Sequence, residues 1–138
     1  MIGGAGRDIL LGGEDGDTID GGDGDDVLKG QGAGDNLHGG LGADRLYGGW
    51  GDDMINGGPG DDAVAAGDGD NWLLGDEGND QLVGNAGDDR MFGLEDDDRL
   101  YGKDGEDELE GGNGLDYCSG GNDSDTAEAT CETIAGVP

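Results

Sequence analysis

A nine-residue pattern repeats without interruption along almost the whole chain. Counting in nines from Gly3 gives fourteen consecutive units, the last ending at Glu128, with no insertion or deletion. Each unit begins with glycine, except the one that begins with Ala66, and each carries Asp or Asn at position six. Because one unit is too small to bury an apolar face alone, this period predicts a solenoid of stacked units.

The last three residues of each unit predict a short β-strand whose middle residue faces inward. Leu28, for example, lies between Val27 and Lys29, and strand side chains alternate between the two faces. Position eight is apolar or cysteine in every unit. The predicted core therefore consists of Leu10, Ile19, Leu28, Leu37, Leu46, Ile55, Val64, Leu73, Leu82, Met91, Leu100, Leu109, Cys118 and Ala127.

The composition adds a second constraint, because the chain carries more negative charge than a compact fold tolerates. It has 36 Gly, 35 Asp plus Glu and 6 Lys plus Arg among 138 residues, a formal net charge of −29. Such values are typical of disordered chains, and self-repulsion opposes compaction unless cations bind. Two prolines and no three-residue glycine period argue against collagen. The acidity argues against nucleic acid or an anionic membrane surface as a partner.

The units resemble the GGxGxDxUx nonapeptides of the RTX (repeats-in-toxin) family, and the resemblance covers residues 3–128. It implies an all-β fold, a right-handed parallel β-roll, or β-solenoid, of about seven coils of eighteen residues. In such a fold the first six residues of a unit form a calcium-binding loop and the last three form a strand. Two units make one coil, so each unit stacks on its next-but-one neighbour in two separate columns.

The resemblance assigns calcium binding to the position-six side chains, with Ca²⁺ between successive loops and loop carbonyls completing the coordination. These residues are Asp8, Asp17, Asp26, Asp35, Asp44, Asp53, Asp62, Asn71, Asp80, Asp89, Asp98, Asp107, Asp116 and Asp125. Two columns with six gaps each predict up to about twelve ions. Twelve Ca²⁺ would change the net charge from −29 to −29 + 24 = −5, which is ordinary for a soluble domain. Because Asn71 lacks a charge, we expect weaker binding in the gaps it shares with Asp53 and Asp89.

Glycine at positions one, two and often four predicts positive φ angles and close backbone approach in the loops. Leu94 and Lys103 replace glycine at position two, where a positive φ costs about 1 kcal/mol or more. At position four, we interpret Asp15, Asp96 and Asp123 as turn residues, with an additional calcium ligand as the alternative. We interpret the position-five carboxylates as solvated loop groups: Asp25, Asp52, Asp61, Asp70, Asp88 and Asp97.

The repeat ends before a tail that contains the second of two cysteines. We predict a disulfide between Cys118 and Cys131, with two free thiols as the alternative; zinc ligation lacks further Cys or His partners. The predicted organisation is leader residues 1–2, a β-roll over 3–128 and a cap over 129–138. A disulfide predicts a secreted, extracellular protein, where calcium is also plentiful, and cysteine-closed repeat proteins of this kind favour a bacterial source.

Outward strand positions carry exposed apolar and aromatic residues that predict a partner surface: Met54, Trp72, Leu74 and Phe92 in one column, Tyr47 and Tyr101 in the other. An adjoining domain, a second copy of the chain or a glycan would fit there. An enzyme is not predicted, because the only histidine, His38, is far in sequence from Ser119 and Ser124. EF-hand-like calcium binding is not expected, because no helices flank the loops. An ice-binding solenoid is not expected either, because it would show a ladder of Thr or Asn on a flat outer face, whereas Thr18 and Thr126 are far apart.

No apolar run is long enough to span a bilayer and no leader follows Met1, so we expect a mature chain, a fragment or export by another route. The predicted function is calcium-gated folding outside the cell, as a structural, stabilising or export-coupled module. The alternative is an extracellular adhesion or matrix protein that binds through the exposed aromatic residues.

Overall fold

The structure is a computed structural model that describes residues 1–127 and 131–135. This part of the chain contains sixteen β-strands and no helix. The strands are β1 Ile2–Ala5, β2 Ile9–Gly13, β3 Thr18–Asp23, β4 Val27–Gly32, β5 Asn36–Leu41, β6 Arg45–Trp50, β7 Met54–Asn56, β8 Ala63–Asp68, β9 Trp72–Glu77, β10 Gln81–Ala86, β11 Arg90–Glu95, β12 Arg99–Asp104, β13 Glu108–Asn113, β14 Asp116–Gly121, β15 Thr126–Ala127 and β16 Cys131–Ala135.

Two parallel sheets of eight strands each build the molecule. Sheet 1 has the order β1-β3-β5-β7-β9-β11-β13-β15, and sheet 2 contains the even-numbered strands from β2 to β16. Leu82 in β10 pairs with Val64 on one side and Leu100 on the other, each eighteen residues away. The fold is therefore a parallel β-solenoid of about seven turns, as the period predicts.

Position eight forms the core between the two sheets. Every position-eight side chain from Ile19 to Cys118 is buried, while Leu10 and Ala127, at the two ends, are partly buried. The core is one side chain deep on each sheet, because the neighbouring strand positions point outward. The prediction of the inward face from the repeat is confirmed.

The strands are longer than the three residues expected from the resemblance. Strand β10, for example, runs over Gln81–Ala86, which adds the first three residues of the following unit. These extra residues bond to the next coil as well; Gly40 N in β5, for instance, donates to Gly57 O at 3.0 Å. The loop that remains between strands is correspondingly short.

Glycine has two different roles that depend on its position in the unit. Glycines at positions two and four adopt positive φ, whereas those at position one do not. Leu94 and Lys103 have φ of 90° and 94°, as expected, and three further position-two residues share this conformation: Gln31, Asp76 and Asn85. The requirement at position one is steric, and its cause lies in the loop described below.

The hydrogen-bonded solenoid extends beyond the repeat at both ends. Ile2 belongs to β1, and β16 pairs in parallel with β14. The predicted disulfide joins Cys118 and Cys131, with the two Cα atoms 5.7 Å apart and both residues buried. The rest of the predicted cap, residues 129–130 and 136–138, lies outside the described residues. In the part that the structure describes, no helix is long and apolar enough to cross a membrane.

Candidate calcium-binding loops

The position-six side chains form two rows, one along each edge of the solenoid. Every member of these rows from Asp26 to Asp125 is buried, with at most 6% of its surface exposed. We call one row the unbroken column; it contains Asp8, Asp26, Asp44, Asp62, Asp80, Asp98 and Asp116. The other, the Asn71 column, contains Asp17, Asp35, Asp53, Asn71, Asp89, Asp107 and Asp125.

One oxygen of each position-six side chain from Asp26 to Asp125 joins successive coils. Oδ1 accepts a hydrogen bond from the backbone N–H of the position-six residue one coil earlier, as Asp80 Oδ1 does from Asp62 N at 2.8 Å. Twelve such bonds of 2.6 to 3.1 Å connect the coils. The carboxylates are therefore held in fixed positions by the backbone of their neighbours.

The second oxygen is buried without a partner. Oδ2 has no hydrogen-bond partner in the described part of the chain in twelve of the aspartates: Asp8, Asp26, Asp35, Asp44, Asp53, Asp62, Asp80, Asp89, Asp98, Asp107, Asp116 and Asp125. A buried, unpaired carboxylate oxygen is strongly unfavourable unless a cation or a proton satisfies it. The loops thus present a row of oxygens of the kind that Ca²⁺ prefers.

This oxygen also explains glycine at position one. At all thirteen position-one glycines, an added Cβ would lie closer than 3.0 Å to the position-six carboxylate of the same unit. At Gly21, for example, the Cβ would lie 2.6 Å from Asp26 Oδ2. Glycine is required there because the carboxylate oxygen and, in most units, the position-one carbonyl oxygen of the next coil occupy the space of a side chain. Of the two reasons that the sequence suggested, close backbone approach therefore holds at position one and positive φ does not.

Burial raises the pKa of several of these carboxyl groups well above the usual value. In the unbroken column the pKa reaches about 8 for Asp80 and about 7 for Asp62 and Asp98, because burial and the neighbouring carboxylates both disfavour the charge. In the Asn71 column it reaches about 6 for Asp53 and Asp89. The backbone N–H bonds oppose the rise but do not cancel it.

Asn71 satisfies the same loop geometry without an unpaired atom. Its Oδ1 accepts from Asp53 N at 2.9 Å, and its Nδ2 donates to Gly69 O and to Asp89 Oδ1, both at 2.8 Å. The amide thereby supplies the positive partner that the other loops lack, and it lowers the pKa of Asp89. The unit that carries Asn71 is also the unit that begins with Ala66. The sequence shows both exceptions, but their coincidence in one unit was missed.

The position-five carboxylates form a second, exposed row of contacts. Each accepts from the backbone N–H of position five one coil later, as Asp70 does from Asp88 N at 3.0 Å. The direction is opposite to that of the position-six bonds. All six predicted solvated carboxylates make this contact: Asp25, Asp52, Asp61, Asp70, Asp88 and Asp97. They are exposed, as expected, but they also link the coils, which sequence reasoning missed.

The predicted partner residues lie on two different faces. Trp72 and Phe92 stack on sheet 1 with ring centroids 5.5 Å apart. Tyr47 and Tyr101 lie on sheet 2, where Tyr101 also contacts Tyr117, with centroids 5.6 Å apart. Met54 and Leu74 accompany the sheet 1 aromatics. The six residues therefore do not form one surface, and the contribution of Tyr117 was not predicted.

Side chains alone do not complete a calcium shell. In the described ranges 1–127 and 131–135, no three Asp, Glu, His or Cys side chains converge on one point. Calcium takes six to eight oxygens and accepts backbone carbonyls readily. In the loops of the twelve aspartates with an unpaired Oδ2, the donor set is that oxygen and the carbonyls of two glycine-rich loops. This set fits Ca²⁺ when the carbonyls contribute the larger share.

Comparison with known proteins agrees with this chemistry. The family described as RTX calcium-binding nonapeptide repeat (4 copies) matches residues 2–32, 29–64, 65–99 and 92–127, which together span most of the chain. No curated protein matches the chain. With its repeat matched end to end and its loops lined by buried, unpaired carboxylate oxygens, the chain belongs to the RTX calcium-binding nonapeptide repeat family.

Proposed function

We propose that calcium gates the folding of this chain into its β-roll. The observation that carries the proposal is the set of twelve buried Oδ2 atoms without hydrogen-bond partners. A fold that leaves one such oxygen in almost every loop is incomplete without a cation. The proposed ligands are the position-six side chains named above, together with loop carbonyls.

The electrostatics support a requirement for metal. At neutral pH the chain has a formal net charge of −29, and neighbouring position-six groups raise one another's pKa. The metal-free roll must therefore take up protons, expand or unfold. Up to about twelve Ca²⁺, one in each gap, would neutralise most of this charge. We assign the role of a calcium-stabilised structural module to the roll over residues 3–128, with the disulfide-linked residues after it as a cap.

We further propose that the chain folds outside the cell. The Cys118–Cys131 bond supports an oxidising compartment, since structural disulfides are rare in the cytosol. Calcium is abundant there and scarce in the cytosol, so the chain would stay expanded during synthesis and export. The family repeat supports calcium binding; the location and the coupling to export are our inference from the cysteine pair and the charge.

A calcium titration followed by far-UV circular dichroism tests the gating. Starting from chelator at about pH 8, we expect a cooperative change from coil to β-structure as calcium is added, because each bound ion organises two adjacent loops. Magnesium is the control, since it dehydrates reluctantly and demands a strict octahedral shell. A chain that is already folded in chelator at this pH would contradict the proposal and make packing and the disulfide the source of stability.

A further inference from the structure

On one face of the solenoid, the outward positions seven and nine carry no acidic side chain. We define the carboxylate-free face as the outward side chains at positions seven and nine of the seven strands from β2 to β14 in sheet 2. None of these fourteen side chains, all within the described residues, is Asp or Glu, although the chain has 35 of them. The same positions of sheet 1 include Asp20, Glu108 and Glu110.

The few cations of the chain gather on this face. Lys29, Arg45 and Arg99 are three of its members, and Lys103, at position two of the next unit, extends from β12 beside them. These are four of the 6 Lys plus Arg. The one ion pair among the described residues joins Arg90 to Glu108 on sheet 1. Composition alone argued against a basic surface, but the fold places these four cations on or beside this face, where none of them forms an ion pair with a described carboxylate. Carboxylates lie at its margins: Arg45 lines a hollow with Asp25, Asp44 and Asp61, and Lys103 lines another with Asp104.

Tyrosines accompany the cations. Lys29 Nζ lies 5.5 Å from the ring centroid of Tyr47, and Lys103 Nζ lies 5.7 Å from that of Tyr101. Between these two pairs, the small side chains of Ala63 and Ala65 form the floor of a shallow hollow of about 190 Å³, with Tyr47 at one wall. The face thus carries two lysine–tyrosine pairs, with a depression between them.

The position of Lys103 adds a separate observation. Its φ of 94° lies in the region that favours glycine, which most units place at position two. A side chain there is strained, and strain of this kind is often retained where the side chain contacts a ligand. In sheet 2 the three strained position-two residues are Gln31, Asn85 and Lys103, none of them acidic. The absence of carboxylates thus extends beyond positions seven and nine.

The dimensions of the face restrict what can bind. Seven strands span about 29 Å, and the outward positions seven, nine and two of one strand span about 13 Å, which gives an area of roughly 400 Å² for the face with its position-two residues. A stable protein interface buries about 800 Å² on each partner. The face is too small for a folded partner or a second copy of this chain, but it fits a single linear polymer that lies along the solenoid axis.

Its chemistry favours a sugar polymer over a peptide. The strands from β4 to β14 are paired on both sides, so a peptide cannot add a strand and its backbone groups would lie unpaired against aromatic and aliphatic side chains. Sugar rings stack their apolar faces on tyrosine while their hydroxyls stay in water. Nucleic acid carries about one charge per 1.7 Å of duplex axis, a density that the acidic remainder of the chain repels.

We propose that the carboxylate-free face binds a linear acidic polysaccharide, whose carboxylates pair with Lys29, Arg45, Arg99 and Lys103 and whose rings stack on the tyrosines. This proposal requires the folded roll, and so it depends on the proposed function only through folding. An uronic-acid polymer with one carboxylate per disaccharide suits the spacing, because the cations lie in two groups separated by the uncharged centre of the face.

The test uses a hyaluronan octasaccharide, titrated by calorimetry into the chain in saturating calcium after circular dichroism has confirmed the fold. We expect binding that weakens about tenfold or more in the Arg45→Gln/Arg99→Gln variant and in Tyr47→Ala. The matched control is Arg90→Gln, which removes an exposed cation from sheet 1 and is expected to leave binding unchanged. A neutral cello-oligosaccharide of equal length is expected to bind at least tenfold more weakly.

Three results would overturn the polysaccharide assignment: no binding of the octasaccharide by folded protein, equal weakening by Arg90→Gln, or equal binding of polyglutamate or an oligonucleotide. If the chain also folds in chelator, the same titration is run there. Binding without calcium would then support this face while contradicting the calcium gating, so the two proposals fail separately.

Discussion

The loops of Asp80 and Asn71 have the same backbone path but opposite chemistry. In both, the position-six Oδ1 accepts a backbone N–H from the preceding coil, at 2.8 Å from Asp62 N and at 2.9 Å from Asp53 N. Asp80 then leaves a buried Oδ2 without a partner, whereas the Nδ2 of Asn71 donates twice. One loop is complete only with a cation or a proton, and the other is complete as it stands.

This difference shows that the unpaired buried oxygen comes from the residue and not from the fold. An amide in place of the carboxylate supports the same turn without charge. The pKa values agree, since Asp80, which lies between Asp62 and Asp98, reaches about 8, while Asp89, which receives the Asn71 amide, reaches about 6. The unbroken column is therefore expected to depend on calcium more strongly than the Asn71 column.

The largest expected effect is that of pH on the metal-free chain. The folded state raises the pKa of Asp62, Asp80 and Asp98 from 3.8 to about 7, 8 and 7, so it binds more protons than the unfolded chain. Metal-free stability is then greatest below about pH 4 and falls, by several kcal/mol in total, as the pH rises through the folded-state values. Circular dichroism in chelator should show β-structure at about pH 5 that is lost by about pH 8.

We expect calcium to reverse this dependence, because in the proposed sites it binds the ionised carboxylates and competes with protons. The apparent calcium affinity is expected to rise over the same pH interval, and calcium binding near neutral pH should release protons. A metal-free chain whose circular dichroism does not change between acid and alkaline pH would contradict the assigned environment of these aspartates.

Next in size is the effect of Asp80→Asn, which should have opposite signs with and without metal. In calcium the variant loses an ionised ligand, so we expect the calcium midpoint to rise several-fold and the stability to fall by about 2 kcal/mol. In chelator at about pH 8 it should be more stable than the parent, because the new amide can donate to Gly78 O and Asp98 as Asn71 does to Gly69 O and Asp89.

The matched control for Asp80→Asn is Asp61→Asn. Asp61 is exposed and accepts from Asn79 N at 2.9 Å, a bond that an amide oxygen also makes. Its substitution removes the same charge from position five, and we expect the free energy of unfolding to change by less than about 0.5 kcal/mol in calcium and in chelator. Urea unfolding in calcium and in chelator measures both variants, and equal effects of the two would mean that total charge, and not the buried oxygen, determines stability.

The repeat predicts much of this structure because its period fixes the geometry. Eighteen residues per coil, parallel pairing and the inward face follow from position eight, and Leu82 between Val64 and Leu100 is one example. Side-chain contacts between coils are harder to predict. They join residues eighteen positions apart, and a repeat consensus specifies the residue type but not which of its two oxygens makes the contact. Asp80 Oδ1 and Oδ2 have different roles, and only coordinates separate them.

The coupling of Ala66 to Asn71 illustrates the same limit within one unit. Ala66 replaces the consensus glycine and Asn71 the consensus aspartate, and each substitution alone would be interpreted as one that the fold tolerates. The collision between a position-one Cβ and a position-six carboxylate in the other thirteen units gives a steric reason for the two exceptions to occur together. The carboxylate-free face was missed for a different reason, since net charge averages over the surface and hides where the cations lie.

A smaller effect is expected for Asn71→Asp alone. In the present orientation the new oxygen would face two acceptors, Gly69 O and Asp89 Oδ1, where Nδ2 now lies at 2.8 Å from each. In the other units the position-six carboxylate places Oδ2 against the position-one glycine, and the methyl group of Ala66 blocks that orientation here. We therefore expect a loss of about 1 to 2 kcal/mol in saturating calcium, measured by urea unfolding. A gain in stability or an added calcium ion in this single variant would show that Ala66 does not obstruct the loop.

The smallest effect, and the sharpest comparison, comes from Ala66→Gly. In the parent it removes a fully buried methyl group and adds backbone freedom, so we expect a loss of about 1 kcal/mol. In the Asn71→Asp background the same change opens the space that a carboxylate oxygen occupies in other units, so it should stabilise the calcium-bound chain. A double-mutant cycle in saturating calcium measures the coupling, expected at about 1 kcal/mol or more. Additive effects would mean that the two exceptions share a unit by chance; a change of sign would show that glycine at position one is kept for the calcium-binding carboxylate.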